Sequence, residues 1–270
     1  MFSGSVQPNI VSLFSSTGSQ PLSLFGVQVD TALPSDSFVH LLDDSTSLRA
    51  PSGASLIAPP KAYHDEDTEA CIGKQLRQTV LHIQSPTLRT TFIQCPSPFS
   101  FRTDDKGLGL KHAWLQIQVR NLGREWSFEV GIVDKAGKHG VVRCSTFQKN
   151  PTLNYNHDLA PVLHLPLKFP SSSSNALTAW STVTVHLPSF IPQFASVSRD
   201  QRSRTDASDE DGSTENASSI PSPQSLPGGA YAHLTYVKIY ATCRLRRIWL
   251  SGSAPGAGGP TPWEFELYGD

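Results

Sequence analysis

The sequence predicts an all-β protein, an antiparallel β-sandwich of jelly-roll type. Three observations carry that expectation. Roughly ten short apolar runs alternate with a period of two, which puts successive side chains on opposite faces of a sheet. The 21 prolines and 19 glycines are spread between those runs as punctuation. No stretch sustains the 3.6-residue period over the length of a long amphipathic helix, so helix-rich architectures are set aside.

In chain order, Ile10 to Phe14 and Leu22 to Val29 are apolar segments around a Gly18–Pro21 turn. The second is apolar at both parities and reads as buried on both faces or bulged. From about residue 43 to 75 the texture becomes polar and rich in breakers, with Asp43 and Asp44 as turn residues and an acidic run at Asp65, Glu66 and Asp67. Such a stretch reads as an insertion. Strands resume at Leu76 to Ile83 and Leu88 to Cys95. Two clean alternations follow: Leu115, Ile117 and Val119, then Trp126, Phe128, Val130 and Ile132. Their connection, Asn121 to Arg124, is short enough for a hairpin.

Val141 to Phe147 is the next strand. Leu163, Leu165 and Leu167 form another, in which Pro166 predicts an edge or a bulge. Trp180 to Leu187 continues the pattern, and Phe190, Ile191 and Phe194 suggest one helical turn. Residues 198 to 229 carry almost no large apolar side chains and read as a disordered loop. Tyr231 to Leu250 is the longest β-like run, read as one long strand ending in Arg244, Arg246 and Arg247. Trp263, Phe265 and Leu267 form a last strand. The expected organisation is a single sandwich domain over 1–270, interrupted by flexible insertions at about 43–75 and 198–229.

Composition narrows function by exclusion. Twenty-two basic residues against 23 acidic leave a net charge of −1, so global charge supports neither a nucleic-acid nor a membrane-surface role. Cys71, Cys95, Cys144 and Cys243 form no C-x-x-C pair and read as reduced, buried thiols. No apolar run approaches the ~20 residues of a membrane span, and the first residues lack the basic and apolar regions of a secretory signal. The nine histidines show no zinc-ligand spacing, and there is no nucleophile elbow, phosphate loop or calcium loop. A non-enzymatic protein without metal or cofactor is expected.

Arg244, Arg246 and Arg247 remain, set among Tyr236, Tyr240 and Trp249. Their planar forks suit carboxylates and phosphates. On residue types alone, guanidiniums covering a sheet with packed stems are the more common case.

Several segments resemble the cilia- and flagella-associated protein 20 family. VKIYATCRLRRIWLS (Val237 to Ser251) is similar to that family's V-x-I-x-A-x-C-R-I-R-R-V-Y-F-S segment. In the same order as in the family come LFSSTGSQPLSLF (Leu13 to Phe25), LRTTFIQCP (Leu88 to Pro96), LGLKHAWLQIQVRNLGREWSFEVGIVD (Leu108 to Asp134), WSTVTVHLPSF (Trp180 to Phe190) and EFELY (Glu264 to Tyr268). The two polar intrusions and Gly252 to Pro262 depart from it. The resemblance implies a jelly-roll sandwich without enzymatic activity, built into ciliary axonemes and basal bodies. Its expected place is the inner junction between the A- and B-tubules of doublet microtubules. Tubulin and the Parkin co-regulated gene product are the implied partners, and a nuclear location is a further one. The resemblance also moves Arg244, Arg246 and Arg247 towards partner binding. Competing readings are a glycan-binding module, which needs an exposed aromatic platform, and a nuclear nucleic-acid adaptor, which needs a basic face.

Overall fold

Runs rich in valine, isoleucine, leucine and aromatic residues form thirteen strands among the described residues. In a computed structural model those residues are 6–49, 78–98, 107–156, 159–169, 180–206, 226–240, 242–257 and 262–267. The strands are β1 (Ile10–Ser15), β2 (Gly26–Gln28), β3 (Phe38–Asp43), β4 (Thr79–Gln84), β5 (Phe92–Cys95), β6 (Trp114–Asn121) and β7 (Ser127–Asp134). They continue with β8 (His139–Ser145), β9 (Thr152–Asn156), β10 (Leu159–Pro166), β11 (Trp180–His186), β12 (Tyr231–Tyr240) and β13 (Cys243–Ser251). One helix, α1, spans Ile191–Asp206.

The first sheet runs β11-β6-β13-β4-β3, with β1 sharing one edge of β13; the second runs β2-β5-β12-β7-β8-β10-β9. Among the described residues every pairing is antiparallel except that of β8 with β10, which is parallel, so the second sheet is mixed. The sheets face each other across one core. Ile83, Leu115, Ile117, Val119, Leu245 and Leu250 from the first meet Ile93, Phe128, Val130, Leu163, Val237 and Ile239 from the second, all fully buried. The all-β sandwich expected from the alternation is the fold.

Two connections depart from expectation, and together they define the molecule. Asn121 to Arg124 does not close a hairpin: β6 lies in the first sheet and β7 in the second. Nor is Tyr231 to Leu250 one strand, since β12 belongs to the second sheet and β13 to the first. The two crossings run side by side. Residue Cys243 pairs with Asn121 in one sheet, and Ile239 pairs with Phe128 in the other. A single antiparallel ribbon is thus bent to serve both sheets. Gly123 turns with φ 72°, and Thr242 adopts φ 58°, unusual for a β-branched residue. Thr242 is held there by Ser85: its hydroxyl donates to the Ser85 carbonyl at 3.0 Å and accepts from the Ser85 N–H at 3.3 Å. Alternation along a strand does not reveal which sheet a strand joins, which is why sequence reading made a hairpin of one crossing and a strand of the other.

Smaller corrections concern the rim. Strands β3 and β9 had no sequence counterpart. Pro166 sits at the end of an interior strand rather than on an edge, with a register shift further back between Leu159 and Val162. The single helical turn is a sixteen-residue helix, so Ser198 to Asp206, expected as loop, is helical; residues 207–225 lie outside the described part. Ile191, Phe194 and Val197 face the core, a stripe too short and too diluted by serine and arginine to stand out. Trp263 to Phe265 form a 3-10 turn, not a strand. Leu226 is buried, and Asp134 Oδ2 accepts the N–H groups of Gly228 and Gly229 at 3.1 and 3.0 Å, fixing the chain as it re-enters β12.

Strand β12 carries a bulge between Leu234 and Tyr236, and Gly131 of β7 faces it. A Cβ on Gly131 would stand 2.2 Å from Thr235 Oγ1 and 2.4 Å from the Tyr236 ring. Gly131→Ala is expected to destabilise the fold by about 1–3 kcal/mol through overpacking, read as a lower urea midpoint with an unchanged slope.

Candidate functional site

Arg244, Arg246 and Arg247 begin β13, where the alternation breaks. A register shift between Leu245 and Arg247 makes Arg246 the bulged residue. Cys243 and Leu245 face the core before it, Ile248 and Leu250 after it. The bulge turns the whole arginine cluster to the outer side of the first sheet.

Arg244 is 8% exposed and enclosed. Its Nη1 donates to Asp44 Oδ1 at 2.7 Å and to the Asp44 carbonyl at 2.8 Å, and its Nη2 donates to Ser47 Oγ at 2.7 Å. Arg120, directly across on β6, donates to the same carboxylate oxygen at 2.8 Å, and the Trp180 indole donates to Oδ2 at 2.8 Å. Asp44 is 1% exposed. The pair Asp43 and Asp44, read as turn residues, therefore divides. Asp43 Oδ1 accepts from the N–H groups of Ser45 and Thr46 and shapes the turn, while Asp44 is the buried counter-charge of two guanidiniums.

Arg246 is 4% exposed. It donates to Gln78 Oε1 at 2.6 Å, Gln118 Oε1 at 2.7 Å and the Glu266 carbonyl at 2.7 Å. The last contact binds the C-terminal segment across this face, where Gln118 Nε2 also donates to the Phe265 carbonyl and Phe265 packs on Trp249 at 5.1 Å. Arg247 differs. It is half-buried, lies 5.4 Å over the Phe265 ring, and its Nε has no hydrogen-bond partner. Burial lowers its pKa, with Glu264 opposing. The cluster therefore divides into two enclosed arginines and one half-buried one.

His82 lies beside this network. Its Nδ1 accepts from Arg244 Nε at 3.3 Å and its Nε2 is 3.1 Å from Gln84 Oε1, so a neutral ring with the proton on Nε2 satisfies both neighbours. Burial holds its pKa below 6.5; the Gln84 bond and Asp44 oppose, and the charge of Arg244 adds to the lowering.

The outer face of the second sheet holds a separate cluster that sequence reading missed. Glu129, 6% exposed, accepts from Arg143 Nε at 2.8 Å, Arg143 Nη2 at 2.5 Å, Tyr236 Oη at 2.6 Å and Tyr240 Oη at 3.1 Å. Lys238 Nζ stands 3.7 Å over Phe92 and 4.7 Å over Tyr240. Parity assigns these residues to one face; only strand order brings β7, β8 and β12 together.

Cys95, Cys144 and Cys243 are free and buried, and burial pushes the thiols of Cys95 and Cys144 up to about 12. Cys71 lies outside the described residues. Among the described residues no three His, Cys, Asp or Glu side chains gather as metal ligands. Trp126, Trp180 and Trp249 are buried, so these tryptophans present no exposed aromatic platform.

Asp44→Asn, which leaves two buried guanidiniums without their counter-charge, is expected to cost about 3–5 kcal/mol in urea unfolding. The His82 effect has a defined sign. Its folded pKa is depressed, so its contribution is complete above 6.5 and is lost as pH falls from there towards the folded value. Melting temperature should fall across that window, and His82→Gln should flatten the decline.

Residues 61–193 match the family model of the CFA20 domain. The chain is 21% identical to cilia- and flagella-associated protein 20 of Chlamydomonas reinhardtii over 268 residues, 99% of this chain and 97% of the relative. It is 20% identical to the protein of the same name in Caenorhabditis elegans, covering 99% and 91% respectively. Residues 61–193 thus carry the likeness to the CFA20 domain, and the chain as a whole is similar, end to end, to cilia- and flagella-associated protein 20 of two organisms.

Proposed function

We propose that this protein is a non-enzymatic structural component of cilia or flagella, and that it binds doublet microtubules at the inner junction between the A- and B-tubules. The observation that carries the ciliary part is the end-to-end likeness to relatives named for cilia and flagella. The microtubule part has physical support of another kind. A body wedged between two lattices needs rigid faces rather than a moving site. Here both outer faces are stiffened by buried charge networks, around Asp44 on one and Glu129 on the other.

Within the arginine cluster, Arg247 is the residue for a partner contact. Arg244 and Arg246 spend their donors internally, whereas Arg247 is half-buried and its Nε has no hydrogen-bond partner. A tubulin carboxylate is the natural counterpart.

A tagged chain expressed in a ciliated cell should remain with detergent-extracted axonemes; a diffuse signal lost on extraction would overturn the reading. Arg247→Gln should keep the wild-type melting temperature while axonemal retention falls, and unchanged retention would remove Arg247 from the contact.

A further inference from the structure

The outer face of the second sheet contains a hollow of about 230 Å³ whose ionisable lining, among the described residues, is basic apart from the Tyr240 phenol. Arg89 reaches it from the turn before β5, Arg143 from β8 and His164 from β10. Among the described residues no carboxylate lines it. The nearest, Glu129, already accepts four hydrogen bonds from Arg143, Tyr236 and Tyr240. Arg143 commits Nε and Nη2 to that carboxylate, leaving Nη1 without a hydrogen bond among the described residues. Arg89 is exposed and makes no ion pair among them.

We infer that this hollow is a binding site for the side-chain carboxylate of an acidic peptide. Two guanidiniums and a histidine line a space with room for a glutamate side chain, with Asn154 beside His164 as a neutral donor. Leu88 and the 40%-exposed Phe147 supply apolar wall for the methylene stem. A free phosphate would leave that wall unused. Beyond Arg89 the surface continues into a second hollow, of about 580 Å³, which Arg89 also lines together with Lys238 and Asp30. Asp30 is occupied by the hydroxyls of Thr87 and Thr90. The shared arginine gives the surface the reach for neighbouring residues of an extended chain.

The groups facing His164 are Arg143 on β8, Glu129 on β7, Arg89 on its turn and Asn154 on β9. Burial, Arg143 and Arg89 lower its pKa, and Glu129 opposes them. A bound carboxylate adds a negative charge at that point, so peptide binding and protonation of His164 reinforce each other.

The test is fluorescence anisotropy of the full chain with a labelled polyglutamate peptide of about ten residues, long enough to cross both hollows. Saturable binding is expected, weakened about fivefold by Arg89→Gln. Lys111→Gln, an equal loss of charge at an exposed residue outside both hollows, should leave it unchanged. Affinity should rise as pH falls through the His164 titration, and His164→Gln should abolish that rise. The inference is overturned if binding does not saturate, or if the two charge-loss variants weaken it equally. It is also overturned if oligothymidine or inorganic phosphate displaces the peptide as well as unlabelled peptide does. The site stands on this face alone, so axonemal retention can fail while the peptide binds, and the reverse.

Discussion

A carboxylate in a dry place governs the outer side of the first sheet. Asp44 alone would be intolerable there, and so would Arg120 and Arg244, which face each other across β6 and β13 as like charges. Joined, they satisfy one another, with Trp180 of β11 contributing its indole N–H and Ser47 taking the remaining arm of Arg244. Four elements thus meet on one side chain: the turn after β3, and strands β6, β11 and β13. Among the described residues two guanidiniums face one carboxylate, and the neutral state of His82 keeps a further charge out.

The cover over this network follows from the same condition. Arg246 and Gln118 reach the backbone carbonyls of Glu266 and Phe265, and Leu267 packs with Leu42, Val80 and Trp180. The last described residues are a strap that excludes water from the guanidiniums. Trp263, Phe265 and Leu267 look like a strand because they alternate, but only Phe265 and Leu267 pack on the sheet, while Trp263 is exposed.

Much of the fold was readable because strand cores obey a two-residue period. Leu115, Ile117 and Val119, and again Phe128, Val130 and Ile132, all face the core as their spacing demands. The break of parity among Arg244, Leu245 and Arg247 called for a bulge or the strand's end, and of these the structure has the bulge. Partnership was not readable. Asp44 meets residues 76 and 200 positions away, and Glu129 gathers side chains from β8 and β12. Such clusters depend on strand order, which no local pattern encodes. Short polar helices such as α1 suffer differently: three buried apolar residues, Ile191, Phe194 and Val197, are diluted by serine, arginine and other polar neighbours.

The ribbon formed by β6–β7 and β12–β13 has a mechanical consequence. Strand β13 is the middle strand of its sheet path and β12 is interior to the other. Covalent chain therefore passes between interior strands of the two sheets twice, in opposite directions. A pull that separates the two outer faces loads peptide bonds and shears ladder hydrogen bonds along their length, rather than peeling one apolar face from another. Such a body yields to tension far less readily than its core packing alone would allow.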